Sequence, residues 1–433
     1  MVTAVDTIRA NFQQTWIDGS NAGAQSELAL FLQENAPQNL WSKSTCDALK
    51  KFLADLSVWF QEQETKYNLK PLEKEQLRRD CRLELDKSLG NSTTRSTSDL
   101  VINGAIFPCF VSLPHINHKF HISKCTFSGG IFSNSRILLK DCTFKTSTNY
   151  HTPITSQQEV KVFNPNLKSI LKNANISGNG GVVIEKVKLS SSHITSNTRV
   201  EVLKSELNSV KINSNDLLIG DCSNIGEVNI SSEHLTLRLY NVCFSNEIPD
   251  FHRVANLALM SSFYNVNWGL PNNGTEFIPK CVQLDKLLMA TGHTEEAQKI
   301  KALICQSRLQ SNQLSKSFKV LYRFYGRTSN FGQDYVRPLI WLFGIFVCIF
   351  AISLLYFIYT CYPLGMSLQQ ASALAFKSIL GPLRIGFSFE FGSTGQPPYG
   401  LYIISWLASA FATYLWFSAF MVINRHVRLP SVK

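Results

Sequence analysis

No G-x-x-x-x-G-K-[ST] phosphate loop, no H-E-x-x-H pair and no G-x-S-x-G elbow occurs in the 433 residues. Nucleotide hydrolysis on a P-loop, zinc proteolysis and elbow-type esterase chemistry therefore have no support in the sequence. C-x-x-C pairs and Cys/His metal spacings are missing too, although the chain holds 11 cysteines. In a chain this long, with several thiols at core-facing repeat positions, they are expected to be reduced and buried. Acid is scarce: 31 Asp and Glu face 42 Lys and Arg, a net charge of +11. No aromatic-basic platform or helix-turn-helix spacing accompanies the excess, so no nucleic-acid partner is expected, and no cofactor or metal. The opening MVTAVDTIRANFQQTW lacks the charged start, apolar stretch and cleavage site of a secretory signal, which predicts a cytoplasmic N-terminal part.

What is present falls into four parts. Residues 1–95 show apolar residues at helical spacing (Val5, Ile8, Phe12, Trp16; Leu49, Phe52, Leu53, Leu56, Trp59, Phe60) and predict a cap of about four helices. Their last segment, Leu72–Leu89, is charged with a thin stripe of Leu77, Leu83 and Leu85, and is expected to be a solvated helix.

Residues 100–270 repeat. Octets begin at Leu100, Phe120, Ile137, Val160, Val182, Val200, Leu217, Leu237 and Leu257, steps of 17 to 23 residues, and superpose without gaps. Positions one and three are apolar, the alternation of a strand with one buried face. Position six is small or thiol-bearing (Ala105, Cys125, Cys142, Ser205, Cys222) and position eight large (Phe107, Phe127, Phe144, Leu207, Phe244, Tyr264), which implies a corner between them. Ile131, Ile176, Ile194 and Ile212 each open a four-residue turn ending in Asn, whose amides could bond up a stack. Such coils predict a β-solenoid. Position five (Lys124, Asp141, Lys186, Lys204, Asp221, Asn241) mixes charges as a solvated corner does, not as paired catalytic carboxylates do. An enzyme is therefore the third-ranked reading, after partner binding or subunit stacking on the solenoid's flat faces.

Residues 276–336 predict a helical hairpin, Val282–Ala290 and Thr294–Gln313, followed by a basic and aromatic stretch. Lys319, Arg323, Arg327 and Arg337, with Tyr325 and Trp341 nearby, suit the headgroup layer of a bilayer, as an anchor or as a lever between solenoid and membrane.

In residues 337–433, uncharged runs at about 338–362 and 400–424 are each long enough to cross the hydrocarbon. Basic residues flank their outer ends, Arg425 and Arg428 at the second, so both termini are expected in the cytoplasm of a multi-pass inner-membrane protein. Between them, an amphipathic helix over Ser367–Leu380 breaks at Gly381-Pro382 and continues extended. Two readings stay open: a re-entrant pore loop, or a helix lying on the outer leaflet. As a pore loop its candidate residues are Ser367, Lys377, Gly381, Pro382, Arg384, Gly386 and Glu390, with a weak anion preference from Lys377 and Arg384. Ser405, Ala408, Ser409 and Ala412 are small residues at which the second run could pack closely. Two spans enclose no lumen, so a pore requires a homo-oligomer.

The octets ending in C-T-F resemble the degenerate coils of pentapeptide-repeat and related right-handed parallel β-helix proteins, which implies a fold and no activity. The two-span-plus-loop plan resembles potassium-type channels, but without a TVGYG-like filter, so potassium selectivity is not implied. From FYGRTSNFGQDYVRPLIWLFG to INRHVRL the chain also resembles bacterial membrane proteins in which such a β-helix precedes a helical hairpin and a channel-like two-span domain. That resemblance transfers no filter or catalytic residue. The expectation is an oligomeric channel or pore-forming protein whose cytoplasmic solenoid binds a protein partner or signal and gates the spans, with bacterial defence against phage as one setting. The alternative is a membrane-anchored adaptor without a pore.

Overall fold

The computed structural model of the chain describes residues 3–19, 25–36, 41–85, 98–116, 118–144, 152–164, 170–245, 247–269, 276–310, 315–331, 334, 336–360, 364–380 and 399–427. Two compact units form, Met1–Asn272 with Lys286–His293, and Asn273–Asp285 with Thr294–Lys433.

The first unit opens on four helices, α1 (Ala4–Phe12), α2 (Glu27–Asn35), α3 (Lys43–Lys66) and α4 (Pro71–Asp80). Their starts are written in the sequence: the Ser26 and Ser42 hydroxyls accept the amides of Ala29 and Thr45, and Pro71 opens α4. Apolar spacing turns Leu49, Phe52, Leu53, Leu56 and Phe60 of α3 inward. Phe52 meets Trp16 edge-on at 5.3 Å and Phe31 at 4.9 Å. The buried Glu64 carboxylate is held by Arg78 at 2.6 Å and Lys74 at 3.8 Å.

The helix expected over Leu72–Leu89 ends at Asp80. Arg82–Glu84 is instead a strand, paired in parallel with Phe110–Leu113, and Leu83 and Leu85 are fully buried. Those two leucines stand two apart, the period of a strand, and burial on the solenoid outweighs the helical charge pattern before them.

From Leu100 the chain winds a parallel β-solenoid of about eight turns. One face stacks Leu100, Phe120, Ile137, Val160, Val182, Val200, Leu217 and Leu237 in register, the first position of eight octets. A second face stacks Ile131, Ile154, Ile176, Ile194, Ile212 and Ile230. Short strands such as Thr126–Phe127 and Lys188–Ser190 make the third side.

The ninth octet is out of register. Leu257 pairs with Leu235 on the second face, while Leu239 pairs with Phe263 on the first. The true last coil starts four residues later: Ser261 accepts the Leu237 amide, Val266 takes the small inward position, and Trp268 stacks on Phe244 at 5.3 Å. Tyr264, expected at the large inward position, is 72% exposed. Leu257 is itself buried, so the alternation rule accepted it on the wrong face.

Position five forms a left-handed column: Lys124, Asp141, Lys186, Lys204, Asp221, Asn241 and Asn265 all have φ between 50° and 56°. Each bends the backbone so that the next residue points inward again, at a cost of about 1 kcal/mol for a residue with a Cβ. The corner also explains position six. The Ala105 amide donates to Cys125 Sγ (3.2 Å), the Val187 amide to Ser205 Oγ (3.1 Å) and the Ser205 amide to Cys222 Sγ (3.5 Å). A small side chain with one sulfur or oxygen satisfies a buried amide that the bend takes out of the ladder. The turn asparagines bond along the stack, Asn197 to Asn179 and Asn179 to Gln157.

Among the described residues no cysteines are bridged, and Cys46, Cys81, Cys142 and Cys222 are buried. Burial pushes the Cys46, Cys81 and Cys142 thiols up to about 12 and Cys222 to about 11. The folded chain thus holds these protons where the unfolded chain releases them. Their contribution is complete at neutral pH and is lost as pH rises from the ordinary thiol range towards 12, by about 1.4 kcal/mol per thiol per pH unit. A urea midpoint falling between pH 8 and pH 10.5, with a smaller fall in Cys142→Ala, is the expected result.

Helix α5 (Phe277–Ala290) is shared between the units, with its residues from Lys286 on in the first, and the rest of the second unit is helical: α6 (Thr294–Gln310), α7 (Lys316–Ser329), α8 (Val336–Tyr359), α9 (Leu364–Leu380) and α10 (Tyr399–Val427). Helices α8 and α10 are long and apolar enough to cross a membrane, with mean hydropathy 2.6 over Val336–Tyr359 and 1.4 over Ile403–Met421.

Candidate functional site

Asp334 starts α8. Its Oδ1 accepts the Val336 amide at 2.8 Å, and its other oxygen pairs with Arg337 at 3.1 Å. An acid ahead of a helix with proline in its first turn is a cap signal, and the sequence reading missed it. From there 24 residues rise about 36 Å without a charge after Arg337.

Helix α9 doubles back along α8. The two are joined by residues 360–363, the Phe346 and Phe376 rings lie 4.9 Å apart, and Leu342 and Ile379 share one apolar cluster. The far end of α9 therefore returns beside the beginning of α8, and its 17 residues run about 25 Å. A stripe of Ser367, Ala371, Leu374, Ala375 and Ser378 is buried, and all but Leu374 are small residues that let the helices approach. The helix expected over Ser367–Leu380 is thus packed against protein along its length.

Helix α10 closes the group. Ala412 and Leu415, fully buried, complete the cluster with Leu342 and Ile379. The Ser378 and Ser405 hydroxyls meet at 2.6 Å, and Trp416 Nε1 donates to the Ile379 carbonyl at 3.2 Å, satisfying an acceptor that the end of α9 leaves open. No sequence signal marks Trp416 or Ser378 for these roles. Ala408 and Ser409 are half-buried. Helix α7 reaches α10 through Phe324, 5.0 Å from Phe411 and 5.4 Å from Tyr414, and through Thr328, whose hydroxyl lies 3.3 Å from that of Tyr414.

The opposite side of α9 is open and mixed, with Met366 and Phe376 exposed there beside polar side chains. Gln369 and Lys377 are exposed and Gln370 is half-buried. Of the other pore-loop candidates, Ser367 is buried on the α8 side, while Gly381, Pro382, Arg384, Gly386 and Glu390 lie outside the described residues. Among the juxtamembrane candidates Arg323, Arg327, Arg337 and Trp341 are exposed and Lys319 and Tyr325 half-buried; Arg425 stands in the last turns of α10, and Arg428 lies outside the described residues.

The solenoid offers a groove of about 620 Å³ with Glu206, Glu227 and Glu247 on its lining. Glu206 is paired with Lys188 at 3.0 Å and Glu227 accepts the Ser209 hydroxyl at 3.1 Å, so neither is poised as an acid–base pair. No cluster of three or more His, Cys, Asp or Glu side chains among the described residues could hold a metal. Comparison with protein-family models, curated proteins and solved structures gives no match to this chain. The class defined by the structure is a β-solenoid protein with a helical unit that carries two candidate membrane spans.

Proposed function

We propose that the chain is a subunit of an oligomeric membrane channel or pore, whose solenoid binds a protein partner or signal and biases the helical unit between closed and open arrangements. One observation carries this reading: α9 is sealed to α8 along one side, and the exposed Gln369 and Lys377 stand on the other among Met366 and Phe376. If α8 crosses a bilayer, α9 lies at membrane depth for most of the hydrocarbon thickness, about 30 Å. An exposed amide such as that of Gln369 requires water or another protomer there. A ring of subunits supplies both and places Lys377 where passing ions meet it. A plain tether needs no exposed amide at that depth.

The test is ion flux through liposomes containing the purified protein, beside Lys377→Glu. The expected result is an anion preference in the parent and a severalfold fall in the anion-to-cation permeability ratio in the variant. Removal of residues 100–270 should change the open fraction while leaving that ratio intact. Absence of flux from inserted oligomers of the parent and of the deletion alike would favour the adaptor reading.

A further inference from the structure

Helix α7 separates its chemistry by face more sharply than any other helix here. Lys316, Lys319, Arg323 and Arg327 recur at intervals of three and four and so share one stripe, and no acid occurs in the helix. The neighbouring acid, Asp334, is committed to capping α8 and to Arg337. Phe318, Leu321, Tyr322 and Tyr325 fall on the other side. In the first turns that side is uncovered: Phe318 is 57% and Leu321 60% exposed. The last turns are fixed, with Phe324 against Phe411 and Tyr414 and Thr328 on the Tyr414 hydroxyl. An apolar face left open on a helix attached to one candidate span and leading into another has a definite neighbour.

We propose that α7 lies in the plane of the bilayer surface and binds an anionic phospholipid leaflet. Its basic stripe would meet headgroup phosphates while Phe318 and Leu321 enter the acyl boundary. Two features of the helix select this occupant. The exposed charges of Lys316, Arg323 and Arg327, on a helix that contains no acid, complement an anionic surface. Phe324 and Thr328 hold α7 to α10 beside its apolar side, so a leaflet covers both sides of α7 at once, whereas an acidic protein on the basic stripe would leave Phe318 and Leu321 bare. The inference rests on the reading that α8 and α10 cross a membrane and adds the lipid to which the adjoining helix responds.

The test uses full-length protein in nanodiscs of phosphatidylcholine alone and with one third phosphatidylglycerol, followed by amide hydrogen exchange of residues 316–329. Protection is expected to rise with the anionic lipid. It should fall about fivefold for each charge removed in the series ending at Lys316→Gln/Arg323→Gln/Arg327→Gln, all exposed positions. High salt should erase the difference. Equal exchange of α7 in both lipids overturns the proposal, as does protection that follows protein concentration in place of lipid charge, which would mark a second copy as the occupant. Exchange of residues 349–357 in the same spectra reports separately on whether α8 is inserted, so failure of the span reading and failure of the lipid site are told apart.

Discussion

Phe127→Ala is expected to lower the unfolding free energy of the solenoid by about 4 kcal/mol, the range for a fully enclosed phenylalanine. Phe127 has no exposed surface and lies between Phe107, centroids 4.5 Å apart and planes at 17°, and Phe144, at 4.9 Å and 10°. Truncation therefore removes contacts with the coils on both sides, and neighbours held by their own ladders cannot close the gap. Because each coil is supported only by its neighbours, the loss should spread to adjacent coils before it reaches distant ones. Urea denaturation followed by far-ultraviolet circular dichroism measures the total, and hydrogen exchange of residues 119–144 against 199–220 shows the spread. A loss below about 1 kcal/mol would mean that the stacked rings fill space without holding the coils together.

Ala412→Phe should cost about 3 kcal/mol in the helical unit and, on the proposed channel function, abolish flux. Ala412 is completely enclosed where Leu342 of α8, Ile379 of α9 and Leu415 of α10 converge. A ring there must push α9 away, which breaks the Trp416 bond to the Ile379 carbonyl and the Ser378–Ser405 contact. Ala408→Leu, one turn earlier at a half-buried position, is the control and should cost far less. Thermal unfolding in detergent, with liposome flux beside it, measures both. Retained flux in Ala412→Phe would count against the proposed role of this helix group.

The solenoid was largely legible because its physics is local and repeated. Inward residues at positions one, three, six and eight follow from alternation plus one corner, and eight octets stand in the register their sequences suggest. Alternation states which side of a strand is buried but not which face of the solenoid the strand belongs to, and so Leu257 was misassigned while Trp268 was overlooked. Leu83 and Leu85 show the same gap in reverse: too few residues to reveal a period inside a charged segment. The left-handed corner column was visible as a row of mixed polar residues, but lysine at φ near 50° has no propensity signal, since the stack and not the residue imposes the bend. The candidate site was least readable. Spans announce themselves by hydropathy, whereas the meeting of α9 with both of them depends on Ser378, Ala412 and Trp416 finding one another across the chain.

The corner column also bears on how such a protein can change length. Most described coils carry their own left-handed bend and their own inward residues, and they ask of their neighbours a matching ladder and, at some corners, one side chain to accept an amide. Excision of the 18 residues from Val182 to Arg199 would bring Val160 to stack on Val200, residues that already occupy equivalent positions two steps apart. The solenoid would shorten by about 4.8 Å, one strand spacing, with its first and last coils unchanged. Duplication of the same segment would lengthen it by as much. Its reach is thus adjustable in whole-coil increments by unequal recombination, while the helical unit keeps its sequence.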